Sequence, residues 1–355
     1  MYRATGADLP FGDPLRAHGV AMEGYFLRIT DSEHGRVVIA LIGVNRGPAG
    51  QWATLGLASD EVTTRSGDDR SRRVGDGQTV SSSSTYSSLR LAAAPHGWSH
   101  PHHVGARSGD QFDYRHDGIR VDLGEGARLH VDITDTVPWP DSPWTHRAVG
   151  GSSIFQAVPR LNQYWHPWLL GGRAHGWAEL DGRRWELEGA EVYGEKNWGA
   201  EGFPEAWWWG QAQAFSEPDT CVAFAGGQIH SGPLRTEVTA LVVRLPGGRV
   251  IRLGNPVISP VRAEVGDDEW RLSGRGYGWQ VRVTGRSPLD RAHVLPVPLP
   301  SQGRNVAGAI EHLTGELEVE VGRHGRLVWS DRSRLAALEH GGLARAEAEL
   351  RRRGI

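Results

Sequence analysis

Lysine is almost missing from this chain of 355 residues: of its 39 lysines and arginines, only Lys196 is a lysine. Wherever charge alone is needed the chain uses guanidinium, so the single ammonium marks a place where a compact cation able to give up a proton would serve. The ordinary alternative is a solvated surface lysine. Cysteine is nearly as scarce. Cys221 alone excludes an internal disulfide and a Cys-rich zinc site and fits a reducing compartment. Within the apolar run from Thr220 to Ala225 it reads as an inert core thiol. No run of about 18 apolar residues occurs, and Met1 to Pro14 lacks a basic-then-apolar signal pattern, so a soluble, cytoplasmic protein is expected. The net charge of −3 provides no basic field for nucleic acid. The Gly-x-Ser-x-Gly elbow, the Gly-x-x-x-x-Gly-Lys phosphate loop and a strand-linked Gly-x-Gly-x-x-Gly are all missing. His96, His100, His102 and His103 crowd one segment and His166 follows Tyr164-Trp165, but no carboxylate stands at a familiar zinc-site spacing, so no metal is expected.

What is abundant is tryptophan, with 15 residues, and glycine, with 48. Indoles supply broad apolar surface with one N–H donor, suited to β-sheet cores or to a pocket for a large flat ligand. Period-two runs separated by Gly, Asp-Gly or Pro turns dominate, which predicts an all-β, antiparallel fold of barrels or sandwiches. Strands are expected at Tyr25 to Thr30, Val37 to Val44, Gly118 to Leu123 and Ala127 to Thr134, and hairpins around Asp181-Gly182 and Gly247-Gly248. Later strands are expected at Glu269 to Ser273, Trp279 to Gly285 and Gly315 to Val321. Only Leu343 to Arg353 reads as helix, rich in good helix formers and closing on three arginines. The length suits two domains, placed at residues 1–200 and 201–355. The polar stretch Ser59 to Ser88 reads as a long mobile loop, part of a partly mobile region across 59–108.

Two runs carry the candidate chemistry. In Val192 to Trp198, extended backbone places Tyr193, Glu195 and Asn197 on one face and Val192, Gly194, Lys196 and Trp198 on the other. In Trp207 to Gln213 the same period groups Trp207, Trp209, Gln211 and Gln213. Two indoles followed by two amides would make a pocket wall able to orient a phenol or carbonyl; equally, they would make a core strand whose glutamines bind backbone.

The run YGEKNWGAEGFPEAWWW, Tyr193 to Trp209, continuing to Gln211, resembles the signature of the tocopherol cyclase family. The resemblance extends through Trp165, Gly171-Gly172, Gly176-Trp177 and Glu188, then through Gly226-Gly227, Leu313 to Val321 and Ser333 to Gly342. Glu23-Gly24-Tyr25 resembles the family's early Glu-Gly-Trp. Gly194 stands where the plant signature has Ser, and Gln213 where it has Asn. The resemblance implies two lipocalin-like β-barrel or sandwich domains, an architecture shared with hydroxyneurosporene synthase-like proteins. It also implies a cofactor-independent cyclase that protonates an alkene of a prenylated aromatic, or a related polyene, and closes a ring onto the cation. Glu195, Lys196 and Asn197 are then the catalytic candidates. Tyr193, Trp198, Trp207, Trp209, Gln211, Gln213, Trp165, Glu23 and Tyr25 are candidates for holding a hydrophobic substrate, with Glu195 either giving the proton or pairing with Lys196. Peripheral membrane contact would let such a protein collect its substrate. A hydratase, in which water traps the cation, and a lipocalin-like carrier without catalysis are the alternatives; in the carrier, a closed Glu195–Lys196 pair would clasp the domains.

Overall fold

The computed structural model describes residues 21–62, 84–100, 103–140, 151, 152, 155, 158 and 161–355. The first sheet comprises β1 (Met22–Asp31), β2 (Arg36–Gly47), β3 (Gly50–Val62), β4 (Ser84–Ala94), β5 (Trp98–Ser99), β6 (Ala106–Ser108), β7 (Phe112–Arg115), β8 (Gly118–Asp122), β9 (Arg128–Pro138), β10 (Tyr164–Leu180), β11 (Arg183–Glu186) and β12 (Ala190–Gly199). The second comprises β13 (Trp207–Ala212), β14 (Cys221–Ser231), β15 (Leu234–Arg244), β16 (Val250–Leu253), β17 (Val261–Val265), β18 (Glu269–Gly276), β19 (Trp279–Arg286), β20 (His293–Leu299), β21 (Arg304–Arg323) and β22 (Arg326–Gly341). Each is antiparallel and curls on itself. The first runs β4-β3-β2-β1-β12-β10-β9-β8-β7-β6-β5, and the second β16-β15-β14-β13-β22-β21-β19-β18-β17. The fold is thus all-β and lipocalin-like, with one short C-terminal helix, α1 (Leu343–Arg353). That helix is neither long nor apolar enough to cross a membrane.

The expected turn chemistry closes the hairpins. Asp181 and Gly182 take φ of 47° and 77°, the paired positive values of a tight turn whose twist matches its strands. Inside the first sheet lie Leu27, Val38, Leu55, Tyr114, Val131 and Val192. Inside the second, Trp270, Phe224, Leu241, Val283 and Val319 form an equivalent core. Between the sheets a third layer, including Val37, Ile39, Leu295, Leu313 and Leu335, packs the outer face of one sheet against the other. The strands beneath that layer are buried on both faces, which is why Val37 to Val44 reads as a continuous apolar run and not as an alternation.

Polar clasps fix how the two sheets meet. Arg28 of β1, fully buried, donates to Gln211 Oε1 at 3.1 Å, to the Leu313 carbonyl at 3.0 Å and to the Leu335 carbonyl, all in the second sheet. Burial pushes its guanidinium down to about 10. Gln213 donates to the Val192 carbonyl at 2.9 Å.

The expected loop from Ser59 to Ser88 is corrected at both ends: Ser59 to Val62 complete β3 and Ser84 to Ser88 begin β4. Small polar side chains conceal these strand ends because several of them bond residues distant in sequence. Ser87 donates to Asp60 at 2.7 Å, Thr314 to Asp60 at 3.3 Å, and Ser88 to Asp181 at 2.5 Å. Residues 63–83 lie outside the described residues.

Candidate active site

Alternation along β12 sorts its side chains as the spacing requires. Val192 enters the first sheet's core, whereas Tyr193 joins the layer between the sheets, with Trp165, Trp209 and Ala337. Glu195 and Asn197 follow Tyr193 and line an apolar cavity of about 170 Å³ between the sheets. Its wall carries Phe26, Trp165, Trp207, Trp208 and Trp209, and it continues past Phe203, Pro204 and Trp207 into an open groove. Glu195 Oε2 accepts three hydrogen bonds: from Trp165 Nε1 at 2.7 Å, Tyr193 OH at 2.6 Å and Trp209 Nε1 at 2.8 Å. Burial pushes the carboxyl up to about 7 despite those donors, and the charge of Glu339 adds to the rise. Asn197 Oδ1 is buried without a partner. Its place depends on Gly24, its register partner on β1, because a Cβ there would lie 2.3 Å from that oxygen.

Lys196 faces the other way. Its Nζ pairs with Glu23 at 2.7 Å, with 0% and 3% of the two side chains exposed, and lies 4.9 Å from the Trp198 ring centroid. Glu23 also accepts from Ser99 Oγ at 2.6 Å and from the Tyr25 hydroxyl.

Two further carboxyls line the same cavity. Glu311 of β21 and Glu339 of β22 are direct register partners, and Glu339 is also opposite Trp209 of β13. The Trp207 indole donates to Glu339, the two carboxyls share a hydrogen bond, and among the described residues no N–H donates to the buried Glu311 Oε1. Burial pushes Glu339 up to about 7; burial, then the neighbouring Glu339 charge, holds Glu311 well above the usual range. The signal for this pair is a repeated pattern, Ile310-Glu311-His312 and Leu338-Glu339-His340, each placing a carboxyl in an otherwise apolar strand.

A family model described as Tocopherol cyclase-like matches residues 19–342, spanning both sheets and every residue of the cavity wall. The chain belongs to the tocopherol cyclase-like family. It is 28% identical over 225 residues to "Probable tocopherol cyclase, chloroplastic" of Oryza sativa subsp. japonica, covering 61% of this chain and 47% of that protein. It is 27% identical over 226 residues to "Tocopherol cyclase, chloroplastic" of Zea mays, covering 61% of this chain and 46% of that protein. The chain thus spans about half the length of the curated relatives it matches. Kievitone hydratase from Nectria haematococca shares the fold, with a TM-score of 0.53 at 11% identity over 97% of this chain and 96% of that one.

For this tocopherol cyclase-like chain, the structure brings Glu195, Asn197, Trp165, Trp207, Trp209 and Tyr25 to one cavity. Tyr193 stands behind Glu195 as its donor. Four expectations are corrected. Lys196 pairs with Glu23, not Glu195, because adjacent strand residues point to opposite faces. Glu23 itself lies beside that ammonium, outside the cavity wall. Trp198 stacks on Tyr164, centroids 5.3 Å apart, and stays off the wall. Gln211 and Gln213 are clasps between the sheets, bound to Arg28 and to backbone. Among the described residues no three His, Cys, Asp or Glu side chains gather to hold a metal ion. His100 bonds Asp113 at 2.9 Å; His166 is buried and pushed down to about 3 by desolvation, with His102 outside the described residues.

Proposed function

We propose that this chain is a cofactor-independent cyclase that closes a ring on a prenylated aromatic, converting a prenylated hydroquinone or a related phenolic polyene into an isomer. One observation carries the reading: a carboxyl held near neutrality, Glu195, and an unpartnered amide oxygen, Asn197 Oδ1, share one end of an aromatic cavity in a member of this family. The phenol hydroxyl fits those two acceptors. The prenyl tail lies along Phe26, Trp207 and Trp209, and its far end runs into the groove. A proton delivered to the less substituted carbon of the nearest trisubstituted alkene forms a C–H bond from the π pair and leaves a tertiary cation. Indole faces stabilise that cation until the phenol oxygen bonds to it. The phenolic proton then passes to Glu195, so substrate and product have equal mass. Excluding water from the cavity keeps the cation for the internal nucleophile. Lys196 acts behind the wall: its pair with Glu23 anchors β12 to β1, and Tyr25, bonded to the same Glu23, reaches the cavity.

The test is to incubate the purified protein with a panel of prenylated hydroquinones and analyse products by chromatography and mass spectrometry. A same-mass product, lost in Glu195→Gln, supports the reading. A product heavier by one water identifies a hydratase. Tight binding without conversion identifies a carrier.

A further inference from the structure

We propose that the Glu311–Glu339 pair is the acid that protonates the alkene, with Glu311 carrying the transferable proton. The inference deepens the cyclase reading and rests on it, but it uses residues that the signature around Glu195 does not contain. Three geometric facts carry it. The two carboxyls are opposite one another on paired strands and joined by a hydrogen bond. Both line the cavity that Glu195 also lines. The Trp207 indole donates to Glu339, whereas among the described residues no N–H donates to the buried Glu311 Oε1.

Glu195 is badly placed to be the donor, since three N–H and O–H groups converge on one of its oxygens and favour the anion. Glu311 is in the opposite position. Glu339 and Glu195 confront it with like charge; Arg28, the cation that acts on it, is held by Gln211 and the Leu313 and Leu335 carbonyls. Its register neighbours His312 and His340 lie on the other face of their strands, beside Trp270.

The step balances. The doubly protonated pair releases the Glu311 proton to one alkene carbon, and the π electrons become the new C–H bond. The Glu339 proton then donates to the Glu311 carboxylate, so one proton and one negative charge remain on the pair. The phenol oxygen bonds to the cationic carbon, and its O–H proton goes to Glu195. After product leaves, water entering from the groove returns a proton from Glu195 to the pair. The arrangement requires Glu195 ionised and the pair protonated at the same time, which gives a bell-shaped pH–rate profile.

The experiment compares Glu311→Gln, Glu339→Gln and wild type with a substrate found by the panel above, with calorimetric binding of an unreactive prenylated phenol as the check on folding. Glu311→Gln is expected to bind normally and lose about 10²- to 10⁴-fold in kcat. Glu339→Gln, whose amide N–H₂ can donate to Glu311 in place of the lost proton but cannot ionise, is expected to stay within about tenfold of wild type, with the alkaline limb of its profile moved to higher pH. Isotope-edited infrared spectra at neutral pH give a readout without turnover: the protonated-carboxyl band of wild type is expected to shrink in Glu311→Gln. Turnover of Glu311→Gln at the wild-type rate, an unmoved alkaline limb in Glu339→Gln, or an unchanged carboxyl band would each overturn the assignment. If wild type converts no panel member, the cyclase reading fails instead, and the infrared result still decides where the proton resides.

Discussion

At the scale of single residues, the run Glu195-Lys196-Asn197 divides its work between two sides of one strand. Lys196 and Glu23 form a buried pair, and removing one member of such a pair leaves an uncompensated charge. Lys196→Met is therefore expected to lower unfolding free energy by about 3–5 kcal/mol in urea titrations, and adding Glu23→Gln to recover much of that loss. A recovery absent from the double variant would show that packing against Tyr25 and Trp198, and not charge, is what Lys196 supplies. The division itself was legible in the sequence, since the side-chain period of a strand is fixed and a two-residue spacing of polar groups already places Glu195 with Asn197. What the spacing could not give was the partner of Lys196. Glu23 reaches it through the β1–β12 register, a pairing between segments more than 150 residues apart.

At the scale of elements, β13, β22 and β21 hold the second set of acidic groups, and glycine decides how closely they approach. Gly341 lies opposite Trp207 on β13, and a Cβ there would stand 2.1 Å from the indole. Gly341→Ala should displace Trp207 from Glu339, weakening binding of an unreactive prenylated phenol by about tenfold or more in calorimetry while the sheets stay folded; unchanged affinity would mean that the ring has another resting place. The strands of the first sheet were easier to read than these. Tyr25 to Thr30 and Val37 to Val44 announce themselves by apolar content, and α1 by its composition, whereas β4 opens on a polar Ser-Thr-Tyr-Ser-Ser run whose Ser87 and Ser88 bond Asp60 of β3 and Asp181 of the β10–β11 turn. Gln211 and Gln213 show the same limit: the sequence places them beside Trp207 and Trp209, but only the packing of one sheet on the other reveals that Arg28 and a backbone carbonyl take up their amides.

At the scale of the whole molecule, the buried carboxyls set how stability depends on pH. A carboxyl whose folded pKa is raised binds its proton more tightly when folded, so its contribution is complete below the unfolded value and is lost as pH rises through the folded one. For Glu195 the window runs from 4.5 to about 7, an effect of about 3 kcal/mol at most. Glu339 spans the same window, and Glu311 extends it upward. The buried His166, His312 and His340 act in the opposite sense, their pKa values lowered by burial to about 3, 3 and 4, so they cost stability as pH falls below 6.5. Above pH 6.5 the histidines no longer contribute, and unfolding free energy is expected to fall as pH rises through about 7 and onward until Glu311 has ionised. Glu311→Gln should flatten that fall and be the more stable protein at the alkaline end; a parallel curve would place the titration elsewhere. The wall that holds these carboxyls has one more consequence. Trp165, Trp207, Trp208 and Trp209 border the same space, three of them donating to the carboxyls of Glu195 and Glu339, whose ionisation changes with pH. Intrinsic emission therefore reports on the cavity directly: a hydroquinone seated there quenches these indoles by contact, and the molecule acts as its own optical gauge of ligand, with no label attached.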